Sequence, residues 1–292
     1  MISVAVETDT NRSSKFARPL SVALFVLGVT MAATSVLGPV ALGAMVYRTS
    51  PTTLNQLVGS DTAILIVIAP LTLVAAFLAF RGHASAPLLA TGLGAFAVYT
   101  YAQVIIGQEY LRLPGNVERF FPLLLTVFIL AEVALVLGWV SAPRDLPPLG
   151  PRLERWVAVV LLLVATFLVF GQHLRPMLIA WQDPEQLTEY ASSPTPFWLV
   201  KLMDLGIIVP SLAVTGVGLW RRTAWARRVA YLLLTGYTCL AVSVTTMAVV
   251  MIINDDPDAS AGLAAGFGVF AAVLIILTVL LYRPLFTHRP RL

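Results

Sequence analysis

One cysteine, Cys239, stands in 292 residues. A single thiol closes no disulfide within the chain and builds no thiolate metal centre. Histidine is nearly as scarce. His83 and His288 fall near one set of helix ends and His173 toward the other, so no two imidazoles converge on one metal or haem. Charge is thin as well: 12% of residues are Asp, Glu, Lys or Arg, about half the share in a soluble domain. P-loop, HExxH, CxxC and GxSxG motifs are absent, as is a paired-glutamate motif of the intramembrane protease kind. The reading therefore carries no cofactor, no resident metal and no nucleotide-driven mechanism.

Apolar sequence is what the chain has in excess. Hydrophobic residues make up 58% and mean hydropathy is +0.86. A soluble domain of this length has no interior large enough to hide that surface, so the bilayer is its solvent. A helix needs about 20 apolar residues to cross the hydrocarbon. Runs of that length recur at roughly 19–44, 61–80, 87–107, 121–140, 156–174, 197–220, 229–253 and 262–282. None alternates in the manner of a barrel strand. The expected fold is an all-α polytopic bundle of eight spans.

Charge orients it. With the N-terminus in the cytoplasm, 14 of the 19 basic residues fall on the cytoplasmic side, among them Arg81, Arg144, Arg152, Arg155, Arg221, Arg222, Arg227 and Arg228. The opposite loops are acidic, with Glu109, Glu118, Asp183, Glu185, Glu189, Asp255, Asp256 and Asp258. The positive-inside rule then puts both termini in the cytoplasm. The pI near 9.5 reflects arginines placed beside anionic headgroups, not a nucleic-acid surface, so membrane lipids are the expected partners. The first apolar run is too long for a signal-peptide core and reads as an uncleaved span. Arginine outnumbers lysine 17 to 2, which with abundant Ala, Val and Leu suggests a bacterial plasma membrane.

The chain divides into a cytoplasmic tail (1–18), a first four-helix half (19–140), a proline-rich basic linker (141–155), a second half (156–282) and a cytoplasmic tail (283–292). The halves resemble each other. PLTLVAAFLAFR, from Pro70 to Arg81, has the length of PSLAVTGVGLWR, from Pro210 to Arg221, and each follows an aspartate, Asp61 or Asp204. LLATG (88–92) echoes LLLTG (232–236). This suggests a duplication whose copies share one orientation, with Pro70 and Pro210 kinking equivalent helices. The Asp183-Pro184-Glu185 sequence reads as the start of a short surface helix running to about Tyr190. The glycines at 262, 266 and 268 form a small-residue stripe expected to pack inside the bundle.

Polar groups at membrane depth are the candidates for chemistry, because each is costly there. Asp61, Tyr99, Tyr101, Gln103, Lys201 and Asp204 gather toward the outer end and define an expected ligand-binding cavity for a small molecule. Lys201 and Asp204, three residues apart, share a helix face and are expected to pair. Glu132, in FILAEVALVL, stands at mid-bilayer, either protonated and hydrogen-bonded to a neighbouring helix or coupling protons. The aromatic span ends, including Trp139, Trp156, Trp220 and Trp225, fit interfacial belts.

At DLGIIVP followed by LWRR and W (204–225) the chain resembles a loosely defined group of bacterial multi-pass membrane proteins with an Asp…Val-Pro…Arg-Arg…Trp pattern in a late helix. The resemblance covers the sixth run and the loop after it, and implies a bacterial integral membrane protein without implying an activity. Three functions remain open: a binding or secondary transport protein, a non-catalytic scaffold or accessory subunit, and an intramembrane enzyme using Asp61, His173 and Glu109.

Overall fold

A computed structural model of the protein describes residues 2–147 and 149–287, with side chains from Phe16 onward. Residues 288–292 of the expected C-terminal tail, His288 among them, lie outside the described residues. Among the described residues every regular element is helical, and eight helices are long and apolar enough to cross a membrane. They are span 1 (Phe16–Leu37), span 2 (Pro51–Phe80), span 3 (Ala86–Ile106), span 4 (Val117–Ser141), span 5 (Pro151–Gln182), span 6 (Pro194–Trp220), span 7 (Ala224–Ile253) and span 8 (Ala261–Thr287). The protein is a multi-pass integral membrane protein.

Several ends differ from the hydropathy reading, each for a local reason. Span 1 continues a helix that begins at Ile2, within the expected tail, and stops at Leu37 rather than 44. Gly38 precedes Pro39, which disfavours helical backbone, and Gly43 turns the chain with φ +61°. Span 2 starts ten residues before its apolar run, at Pro51, where the Ser50 hydroxyl accepts from the Thr53 amide. Its polar first turns are tolerated because they lie against span 7. Ser60 and Ser243 hydrogen-bond at 3.0 Å there. Gly59 faces the backbone of Met247 so closely that a Cβ would stand 2.3 Å from its Cα. Span 5 starts inside the expected linker and runs past 174 to Gln182.

Spans 3 and 7 pack against each other in the centre. Their crossing point is the LLATG and LLLTG pair: Gly92 lies against Thr235, and Gly236 against the Gly92 carbonyl. Span 7 also packs on span 2, and span 3 on span 6, so the two halves interlock through their central helices. Within the halves, span 1 packs on span 2 and span 5 on span 6. At the arginine-rich end, Glu154 is buried and pairs with Arg227. Arg228 lies over the Trp139 ring and donates to its carbonyl.

The second half repeats the local structure of the first at constant offset. A π-helical segment at Ile64–Ile68 is followed by a helix at Ala69–Phe80; the counterparts are Asp204–Ile208 and Val209–Trp220, every bound 140 higher. The turns after them match too. His83 N–H bonds the Leu78 carbonyl and Thr223 N–H the Gly218 carbonyl, with Gly82 (φ +67°) and Arg222 (φ +56°) at the left-handed position.

Two expectations about helix packing are corrected. Gly262 and Gly266 do not pack inside the bundle; both are exposed, and a Cβ on Gly266 would meet nothing within 4 Å. Span 8 meets span 7 through larger side chains nearer the arginine end, with Thr235 and Tyr282 hydroxyls at 2.8 Å and those of Thr238 and Thr278 at 2.8 Å. The segment after Asp183 forms a 3₁₀ turn (Pro184–Gln186) and a one-turn helix (Thr188–Ser192) instead of one surface helix. The Asp183 carboxylate accepts from the Gln186 side chain and caps no backbone amide.

Candidate buried acid-histidine site

Proline determines where polar groups meet in this bundle. Three segments widen from α to π geometry, and each runs into a proline: Ile64–Ile68 before Pro70, Phe167–His173 before Pro176, and Asp204–Ile208 before Pro210. A proline offers no N–H and its ring clashes with the preceding turn, so the helix relaxes by taking one extra residue into that turn. The amides of Ala69, Leu174 and Val209 accordingly bond carbonyls five residues back, those of Ile64, Val169 and Asp204. The expected kinks at Pro70 and Pro210 thus take the form of π turns.

Two of these segments face each other. His173 closes the one in span 5, Asp204 opens the one in span 6, and Nε2 of His173 lies 2.8 Å from Oδ2 of Asp204. The other carboxylate oxygen accepts from the Tyr99 hydroxyl of span 3 at 2.5 Å. Gln103, one turn along span 3, lies within hydrogen-bonding reach of that hydroxyl. Asp204 is 8% exposed and His173 3%. Tyr237 of span 7 stands within electrostatic reach of Asp204, and its buried hydroxyl has no hydrogen-bond partner among the described residues. Four helices of both halves converge here.

The remaining candidates are distributed differently from the expected single cavity. Asp61 belongs to a separate cluster in the first half, accepting from Tyr47 at 2.8 Å and from Ser35 at 3.5 Å. Tyr101 turns toward that half, its hydroxyl 2.6 Å from Thr34. Tyr99 and Tyr101 therefore serve different clusters from one helix. Counted by the offset of 140, Asp61 corresponds to Lys201, and Asp204 to Ile64, so the two acids are not symmetry mates.

Lys201 makes no ion pair with Asp204. Its ammonium lies 3.2 Å from the centre of the Phe197 ring and donates to the Phe197 carbonyl at 3.4 Å. Helical side chains lean toward their own N-terminus, which carries Lys201 one turn toward the acidic end, while Asp204 turns to His173. Tyr190 covers the same Phe197, with ring centres 5.0 Å apart, so the 183–193 segment lies over the lysine and not over the acid.

Glu132 is corrected most. It is exposed on the outward face of span 4, among Ile129, Val133 and Val136, and has no hydrogen-bond or ion-pair partner among the described residues. The expected hydrogen bond to a neighbouring helix is absent among the described residues. The set Asp61, His173 and Glu109 does not assemble either, because His173 pairs with Asp204 and Glu109 accepts from the Thr195 amide beside Arg112. At the same end Arg48 grips Glu118 with two nitrogens at 2.9 and 2.5 Å, and the bond holds its guanidinium pKa above the ordinary value.

No family model, curated protein or solved structure matches the chain. The arrangement must speak through its chemistry. A carboxylate and an imidazole in contact, with a tyrosine hydroxyl on the second oxygen, can accept, hold and release a proton at bilayer depth.

His173 and Tyr237 were missed as members of the site. For His173 the signal was its place near the end of a span; for Tyr237 no local signal existed, because only the crossing of spans 3 and 7 brings it there.

Proposed function

We propose that the protein is a secondary carrier for a small polar solute in a bacterial plasma membrane, with the arginine-rich end and both termini cytoplasmic, and that Asp204 and His173 form its proton-handling pair. The observation that carries this reading is the pair itself: an acid and a histidine in contact, buried where both halves meet, on two π turns that face each other. Ionisable groups at such depth are costly and mark pathways or proton relays. π turns occur frequently at functional sites because they re-aim side chains and leave backbone groups available. Tyr237, buried within electrostatic reach of Asp204, adds a polar group to the site. Glu132, facing outward, has no part in it.

The scaffold reading is supported by one observation of its own: both oxygens of Asp204 are already satisfied and little of the residue is exposed. Side-specific labelling separates the two. Single cysteines at 204 and at 237, in a Cys239→Ala background, are probed with a membrane-impermeant maleimide from each face of oriented vesicles. A carrier wets both positions from both faces in turn. Failure of either position to react from either face is the result expected of a scaffold and excludes the carrier.

A further inference from the structure

The repeated turns at the arginine-rich end allow the protein to serve as its own control. Below Arg81 the first half carries Leu73, Val74, Phe77 and Leu78. The Arg81 guanidinium lies over the Phe77 ring, 5.7 Å from its centre, and His83 stacks on Phe286 at 4.6 Å. In the second half the corresponding residues are Ala213, Val214, Val217 and Gly218, so three of four positions are smaller. The result is an open cavity of about 410 Å³, lined by Ala213, Val214, Val217, Gly218, Arg221, Thr223 and Trp225. That volume is ample for a ligand site, which runs from about 300 to 1,000 Å³. Gly218 makes the wall possible: the Trp225 indole lies where its Cβ would be, 2.7 Å away.

Three properties say what fills it. Its floor is apolar and opens sideways, with Val214 59% and Val217 43% exposed to the surface that lipid covers. Its rim is cationic. Arg221 and Arg222 are exposed and have no ion pair or ring contact among the described residues, and Arg155 stands nearby over Trp220 at 5.8 Å. Glu154, the acid beside Arg155, is taken by Arg227. Trp220, Trp225 and Trp156 are exposed at this end, where headgroups meet hydrocarbon. Arg222 also holds a left-handed backbone at the position where the first half uses Gly82. An L-residue is strained in that region, and a glycine at the same turn avoids the strain.

We propose that this groove is a binding site for one anionic phospholipid, an acyl chain lying along Ala213, Val214 and Val217 and the headgroup phosphate held by Arg221 and Arg222. Arginine matches phosphate with paired N–H donors, and juxtamembrane arginine is favoured beside anionic lipid. The proposal rests on the membrane reading and not on the carrier reading.

The test is native mass spectrometry of the full chain in detergent, titrated with phosphatidylglycerol or with phosphatidylcholine of identical chains. The wild type is expected to retain one phosphatidylglycerol that phosphatidylcholine does not replace. Arg221→Gln should weaken that binding about tenfold, the loss of roughly one charge-assisted hydrogen bond. Val217→Phe, which supplies the first half's side chain, should abolish it with the arginines intact, and Arg81→Gln should leave it unchanged. Thermal unfolding of each variant confirms that it is folded. Equal retention of phosphatidylglycerol by wild type, Arg221→Gln and Val217→Phe overturns the proposal, as does equal retention of the two lipids by the wild type.

Discussion

Asp204 and His173 meet in the interior, their side chains 2.8 Å apart and both buried. Breaking a buried pair by removing one partner leaves the other desolvated, a loss of about 3–5 kcal/mol. Asp204→Asn and His173→Gln should each destabilise the protein, and the double variant should cost clearly less than their sum. Unfolding midpoints of the four proteins give the coupling; simple additivity would mean that the contact carries no energy. Glu132 makes the opposite case. A carboxyl facing hydrocarbon at the centre of a span costs about 2.5–3.5 kcal/mol on insertion scales. Glu132→Leu should therefore raise thermal stability and leave labelling at 204 and 237 unchanged; a loss of stability would reveal a partner for this carboxyl. The sequence made these residues visible as expensive without saying what each one meets. Lys201 and Asp204 share a face in an ideal helix, yet a π turn opens at Asp204 and directs its carboxylate to another span. Spacing rules assume 3.6 residues per turn, and they fail where a proline two residues beyond a segment changes that number.

Helices were the most legible feature, since hydropathy finds them all, and their ends the least. Hydropathy missed the polar start of span 2 because those turns are covered by span 7 and not by lipid, and it missed the length of span 5 because the added turns at its two ends are polar and largely exposed. Proline placement was legible, but its consequence depends on the turn before it. In Pro210→Ala the restored amide at 210 can bond the Gly206 carbonyl and draw the turn back to α geometry, which rotates Asp204 away from His173. The expected outcome is a fold kept intact with the Asp204–His173 coupling energy lost, measured by repeating the cycle in the Pro210→Ala background. An unchanged coupling would show that the tertiary contacts, and not the proline, hold the turn open. Glycines divide in the same way. Gly92→Val would push a Cβ to 2.3 Å from Thr235 Cβ and 2.9 Å from the Leu232 carbonyl oxygen, and should abolish folded protein. Gly266→Val meets nothing within 4 Å and should be neutral by the same measurement of folded yield.

Spans 2, 3, 6 and 7 carry most of the contact between halves, and spans 4 and 8 add the Arg228–Trp139 and His83–Phe286 contacts at the arginine-rich end. Such an arrangement needs no covalent link through the proline-rich connection before Pro151, because interlocked central helices bury what each half would otherwise leave to lipid. The π turns, following helices and closing turns of the two halves repeat at a constant offset of 140, although the second half opens its π turn with an acid and the first with an isoleucine. The sequence echo of LLATG and LLLTG pointed to this relation and placed its glycines without knowing that they cross. Residues 1–147 and 148–292, expressed together as two chains, should therefore assemble, co-purify in detergent and unfold in one transition near that of the intact protein, since helix association in membranes rests on close packing at small residues and not on the loop. Gly92→Val in the first chain should prevent co-purification while the unsubstituted pair assembles. Halves that never associate would mean that the connection, and not the spans 3 and 7 crossing, holds the bundle together.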